Sequence, residues 1–225
     1  MKAILISFLF FFISGSILAQ KDTLQLGDRY AEDQIYATIS YAQFFNQPTT
    51  IFKSNFSYGL SAGYLKDISL NKKGTIAMAI GFGYAFDYFN HKLKVQEVNN
   101  TTLFSNQTGN ESNIFTSHNL ELPFELRWRT SKATKYDFWR IYAGIKFLYN
   151  LSNNFKFIDT NNSVFNSSNV SSYNKLQYGL TLSTGYDEFN FHIFYGLSPL
   201  FKDSNLNGED INTKILKVGL VFYLL

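Results

Sequence analysis

The chain has 225 residues, a formal net charge of +3, an aromatic content of 18%, three prolines and no cysteine. The length suits one domain. Without cysteine there is no disulfide framework, thiol nucleophile or cysteine-borne lipid anchor, and the scattered basic residues form no patch that points to nucleic acid.

The first segment reads as a secretory signal. Lys2 is a minimal basic start, 3–13 is an apolar run rich in Phe, and 14–19 ends in small residues before Gln20. Cleavage is expected near Ala19. The run is shorter than the roughly 20 residues of a spanning helix, and no later segment is long and apolar enough to be one. Residues 20–225 are therefore read as a single domain.

From there a two-residue alternation recurs. The first strand is expected at 35–43, with Ile35, Ala37, Ile39 and Tyr41 on one face. The second runs over 56–66, where Phe56, Tyr58, Leu60, Ala62 and Tyr64 oppose Ser57, Gly59, Ser61 and Gly63. The third, 75–89, sets Ile76, Met78, Ile80, Phe82, Tyr84, Phe86 and Tyr88 against Ala77, Ala79, Gly81, Gly83, Ala85 and Asp87. The fourth, 118–129, presents Leu120, Leu122, Phe124, Leu126 and Trp128. The fifth, 138–150, presents Trp139, Ile141, Ala143, Ile145, Phe147 and Tyr149. The sixth (176–186), seventh (189–197) and eighth (214–225) repeat the pattern. Each is long enough to cross a bilayer at a tilt, which takes about 9–11 residues.

The links alternate in length. Those at 71–74, 130–137 and 187–188 are short; those at 44–55, 90–117, 151–175 and 198–213 are long. Short periplasmic turns and long outer loops alternate in this way in outer-membrane barrels. The long loops are rich in Asn, Ser and Thr, as in 161–174, a composition that predicts solvated segments with little to pack.

A membrane protein without a hydrophobic helix satisfies its backbone by closing a sheet on itself. The fold expected is all-β, an eight-stranded antiparallel up-and-down transmembrane β-barrel. A soluble barrel would keep its bulky residues inside, and an eight-stranded interior is too narrow for so many rings. Gly, Ser and Ala belong inside and the aromatic face outside.

By the same parity Glu121, Glu125, Arg127 and Arg129 point inward on the fourth strand, and Arg140 and Lys146 on the fifth. Lys217 and His192 also point inward. A turn centred between Ala133 and Thr134 would pair Glu121 with Lys146, Arg127 with Arg140, and Trp128 with Trp139. Glu125 would then bridge Arg127 and Arg140. The cluster reads as a charge-balanced plug; a narrow selective conduit is the functional alternative. Trp128 and Trp139 are expected in an aromatic belt at the periplasmic interface.

Catalytic patterns are weak. Ser117-His118 is the nearest thing to a nucleophile and base, but adjacent strand residues diverge to opposite faces. No metal-ligand spacing, phosphate loop or nucleophile elbow occurs, and no cofactor is implied.

The stretch Leu120-Glu121-Leu122-Pro123-Phe124-Glu125-Leu126-Arg127-Trp128 resembles a strand motif of PorT-like outer-membrane barrels of the Bacteroidota. The segments Phe56–Asp67 and Ala79–Phe86 are similar to the small-residue strands of that group. The C-terminal Phe222-Tyr223-Leu224-Leu225 departs from its usual aromatic ending. The resemblance implies a non-enzymatic barrel in the outer membrane, contacting lipid and envelope or secretion-machinery proteins. Some members serve type IX secretion. A surface-binding barrel using loops 90–117 and 151–175, and a lipid-modifying rim enzyme, stay open as alternatives.

Overall fold

The computed structural model describes residues 33–51, 55–106, 112–130, 139–186 and 189–224. The expected signal segment 1–19, most of the link 130–137 and the turn 187–188 lie outside them. Strands run β1 (Gln34–Phe45), β2 (Tyr58–Ser69), β3 (Ile76–His91), β4 (Leu93–Val98), β5 (Thr101–Asn106), β6 (Ser112–Arg129), β7 (Trp139–Ile158), β8 (Val164–Ser168), β9 (Leu176–Tyr186), β10 (Phe189–Gly196), β11 (Asn205–Leu206), β12 (Glu209–Asp210) and β13 (Lys214–Leu224). Eight of these close a barrel in the order β1-β2-β3-β6-β7-β9-β10-β13 and back to β1, every pair antiparallel. The expected eight-stranded closed barrel is the fold observed. Closure leaves no unpaired edge in this ring, which a backbone in lipid requires.

The short-turn half of the barrel is inside-out. Ile35, Ile39, Leu60, Met78, Ile80, Phe82, Leu122, Phe124, Leu126 and Trp128 stand exposed on its outer wall, while Ser40, Asp67, Glu121, Arg127 and Arg140 are buried within. Pro123 sits in the wall of β6 facing inward. It has no N–H to donate, and the β3–β6 ladder is interrupted at Gly81–Phe82 opposite Leu122–Pro123, while the β7 side stays continuous. At the same end, Gly74 takes φ 68° in the turn after β2. Asn71 closes this turn by accepting the Thr75 N–H at 2.9 Å.

The long-loop half is the opposite. Here β6 and β7 run beyond the expected strands, and Phe89, Phe115, Phe155 and Phe157 point inward, fully buried. Around them pack Phe44, Leu93, Val95, Val170, Tyr173, Leu200, Phe201, Leu206 and Ile211, most of them from the loops. Phe44 stacks on Phe89 at 4.2 Å and Phe115 on Phe155 at 4.4 Å. Apolar burial drives this cap as it does any water-soluble core.

The expectation that 161–174 has little to pack is corrected. β8 lies within it and pairs with β7, and Val170 and Tyr173 are among the most buried side chains. Composition misleads because a few apolar residues, spaced among many Asn and Ser, suffice once the loops share one core. The strand ends move for a related reason. A bulge opposite His118/Asn119 leaves Leu151 as an extra residue on β7. Inward residues are even up to Asn150 and odd from Asn153, so the alternation breaks at the bulge.

Candidate functional site: a filled ionic lumen beneath an apolar cap

Small residues on β2 and β3 clear the space in which long polar side chains from other strands lie. One register row runs Tyr36, Gly63, Gly83, Glu121 across β1, β2, β3 and β6. Tyr36 reaches over both glycines and its hydroxyl donates to Glu121 Oε1 at 2.5 Å. A Cβ at Gly63 would stand 2.6 Å from that hydroxyl, and one at Gly83 only 2.2 Å. The other oxygen of Glu121 lies 3.1 Å from Lys146 Nζ on β7.

Nearer the short turns, Asp67 of β2 reaches across Ala77 and Ala79 of β3 to β6. Its two oxygens lie 2.7 Å from Arg127 Nη1 and 2.7 Å from Arg129 Nη1. Arg127 Nε also donates to Glu125 Oε2 at 3.0 Å. The Arg127 guanidinium lies 4.6 Å from the centre of the Tyr142 ring. Arg140 lies over Tyr223 at 5.8 Å. Arg129 Nε donates to the carbonyl of Gly74 at 2.7 Å, which ties the turn to the lumen.

Toward the long loops, Lys217 of β13 donates to Asp87 Oδ1 of β3 at 2.5 Å. The lysine stem passes Gly59, whose added Cβ would lie 3.4 Å from Lys217 Cδ. From Asp87 a line of amides climbs to the cap. Asn119 donates to Asp87 Oδ2 at 3.3 Å, Asn150 to Asn119 at 2.8 Å, and Asn153 to Asn150 at 2.9 Å. Asn153 Oδ1 then accepts the Val170 N–H at 3.0 Å. Asn150 also donates to the carbonyls of His118 and Ser152, which flank the bulge. Ser183 and His192 share a hydrogen bond at 2.8 Å on the opposite wall.

Among the described residues the buried lumenal charges are Arg127, Arg129, Arg140, Lys146 and Lys217 against Asp67, Asp87, Glu121 and Glu125, five cations to four acids. Two cavities lie among them, about 10 Å³ each. One is lined by Thr38, Ser40, Ser61, Glu121, Lys146, His192 and Lys217, the other by Tyr36, Leu65, Pro123, Glu125, Val221 and Tyr223. Each has room for about one water molecule.

The structure brings the expected inward set of Glu121, Glu125, Arg127, Arg140 and Lys146 into one lumen, but in a different register. Arg127 faces Tyr142, Trp128 faces Ile141, and Arg129 faces Arg140. Trp128 and Trp139 are therefore not opposed. Both point outward near the short turns, and Trp139 packs edge-on against Tyr186 at 5.7 Å. The Glu121–Lys146 contact forms diagonally instead of directly. The sequence reading missed Asp67, the shared acid of the network, because its second strand stops at Lys66. Inward parity extended by one residue would have found it.

Ser117 is fully buried inside, while His118 is partly exposed on the outer wall and shares a hydrogen bond with Tyr84. Among the described residues no cluster of three or more His, Asp or Glu side chains could hold a metal ion.

A closed ring of antiparallel strands with an apolar outer wall and an ionic lumen defines a transmembrane β-barrel. The chain belongs to the family described as outer membrane protein beta-barrel domain, whose model matches residues 18–202. Its place is the outer membrane. No curated protein matches the chain. Among solved structures it is similar to Ail, the attachment invasion locus protein of Yersinia pestis, in complex with the heparin analogue sucrose octasulfate. That likeness has 13% identity over 85% of this chain and 99% of that one, with a TM-score of 0.34. A second crystal structure of Ail has 12% identity over the same shares, with a TM-score of 0.31. At this level the likeness says nothing of activity or partners.

Proposed function

We propose that this barrel is a non-enzymatic, structural or accessory component of an envelope protein assembly, and that it acts by protein contact. The observation that carries this reading is the lumen. It is filled by ion pairs that join β2 to β6, β6 to β7 and β3 to β13, and the two cavities among them are of water size, so the surfaces left to act are the outer wall, the short turns and the loop cap. Ser117 and His118 on opposite faces of β6 supply no nucleophile and base, and His118→Ala is expected to leave outer-membrane lipid composition unchanged.

The finer reading is a PorT-like barrel of the Bacteroidota that serves type IX secretion. It rests on the motif Leu120–Trp128. A deletion strain is expected to lose export of surface proteins, and a gentle detergent pull-down to recover envelope proteins. Normal export in the deletion strain would remove the secretion role.

A surface-binding role is the second reading. What favours it is that the described parts of loops 90–117 and 151–175 pack into the shared cap and leave Val98, Leu103, Val164 and Phe165 exposed. Removal of the β8 segment that abolishes adhesion while export continues would select it.

A further inference from the structure

His91 ends β3 inside the apolar cap and is 3% exposed. Its ring meets those of Phe44, Phe115 and Phe155 nearly edge-on, with centres 5.8, 6.5 and 6.1 Å away. Together with Gln47, Leu93, Leu200, Phe201 and Thr213 it lines a cavity of about 10 Å³, room for about one water molecule. His91 Nε2 and Thr213 Oγ1 are both buried with no hydrogen-bond partner among the described residues.

No described charge faces this ring. β1 and the link after it bring Phe44 and Gln47, β4 brings Leu93, and β7 brings Phe155. β6 brings Phe115 and the register partner Asn113, and the loop 198–213 brings Leu200, Phe201 and Thr213. The titratable neighbour in this cluster is Tyr173, packed against Phe115 and Phe155. Along β3 the next inward charge is Asp87, beyond Phe89 and held by Lys217. A protonated imidazole here would be a buried charge without a counter-ion, which is costly.

The walls around the ring differ in how firmly they are held. Phe44, Phe115 and Phe155 belong to laddered barrel strands, and Leu93 is two residues along the chain from His91. The loop 198–213 has no ladder with the barrel, because β11 and β12 pair with each other. Asn174 donates to its Leu200 carbonyl at 2.9 Å, and its Lys202 donates to the Ser172 carbonyl at 2.8 Å.

We propose that His91 is an acid-sensitive latch on the cap: neutral, it lets the 198–213 loop pack over the barrel mouth, and protonated, it expels that loop and opens the aromatic core to the outside. The observation behind it is an unpartnered imidazole enclosed by aromatic rings and by one loop that can leave. Burial pushes the closed-state pKa of His91 down to about 3, whereas an imidazole in water titrates near about 6.5. The closed cap therefore binds fewer protons than the open one. Its closing equilibrium is at full strength above about pH 6.5 and weakens about tenfold per pH unit below that, until the closed-state value is reached.

The test uses the full barrel folded in detergent micelles at pH 7 and pH 5, a window that stays above the ordinary carboxylate range. Amide exchange is measured against the intrinsic rate at each pH. Protection of the Leu200 and Lys202 amides is expected to fall roughly 25-fold between the two, while the Ile145 amide in the β7 wall is unchanged. His91→Phe, or His91→Leu, keeps the site apolar and is expected to make protection of the loop equal at both pH values. Heat-modifiable gel mobility checks that each variant is folded. Constant loop protection in the native protein, or the same fall in a folded His91 variant, would overturn the proposal. So would ring nitrogen resonances that show His91 protonated at pH 5 in a cap whose protection has not changed, a measurement that needs no variant.

Discussion

Tyr36 and Glu121 lie on strands separated by two others, yet the phenol of one donates to the carboxylate of the other at 2.5 Å. The contact exists because Gly63 and Gly83 fill the row between them. Tyr36→Phe removes a donor to a buried carboxylate and is expected to destabilise the barrel by about 1–3 kcal/mol. Gly83→Ala places a Cβ against the phenol and against the Ala62 carbonyl at 2.8 Å. It is expected to destabilise further, and the double variant with Tyr36→Phe less than the sum of the two single changes. Urea unfolding followed by the loss of heat-modifiable gel mobility measures all three.

Asp67 holds two buried arginines, so its loss leaves both without the shared acid. Asp67→Asn is expected to destabilise the fold by roughly 3–5 kcal/mol, the usual effect of breaking a buried pair from one side. Lys66→Ala, next along the strand, breaks an exposed pair with Asp33 and should leave the unfolding midpoint unchanged. Equal effects from the two would show that the lumenal network does not support the barrel.

Conduction offers a test of the plug. With about 10 Å³ cavities between ionic tiers, purified protein in a planar bilayer is expected to give no discrete current steps. Regular steps that vanish on boiling would revive the narrow conduit.

The Glu97 carboxylate is one of the ties between the β4–β5 hairpin and the loop after β8. Burial alone would raise the pKa of Glu97, but hydrogen bonds from Thr102 and Ser171 outweigh it and hold it below the usual carboxylate value. A group with a lowered folded pKa stabilises above its unfolded value, and that contribution is lost as pH falls through the folded one. Acidification below the ordinary carboxylate range is therefore expected to lower the protection factor of the Ser171 amide, its exchange measured against the intrinsic rate at the same pH. Glu97→Gln should make that protection factor insensitive to pH over the same window.

Legibility in the sequence followed the membrane boundary. Where bulky residues face lipid, as in Leu120 to Trp128, the alternation marks strand, face and ending together. Above that level the polarity inverts, so Phe115, Phe155 and Phe157 occupy inward positions that a lipid-facing rule assigns to small residues. The bulge at Leu151 shifts the phase as well. Two rules that hold in one half of the same strand fail in the other, so the alternation along the chain does not disclose the cap.

The sequence by itself determined that this is a membrane barrel of eight strands, and which side chains between Leu120 and Asn150 alternate into the lumen. Pleating is a property of the local backbone, and period two can be read within a single strand. Only the tertiary structure decided that Asp67 binds Arg127 and Arg129, that Tyr36 spans two glycines to Glu121, and that the loops close over a core of their own. Those pairings depend on register between strands far apart in the chain, and a slip of two residues preserves every face while changing every partner.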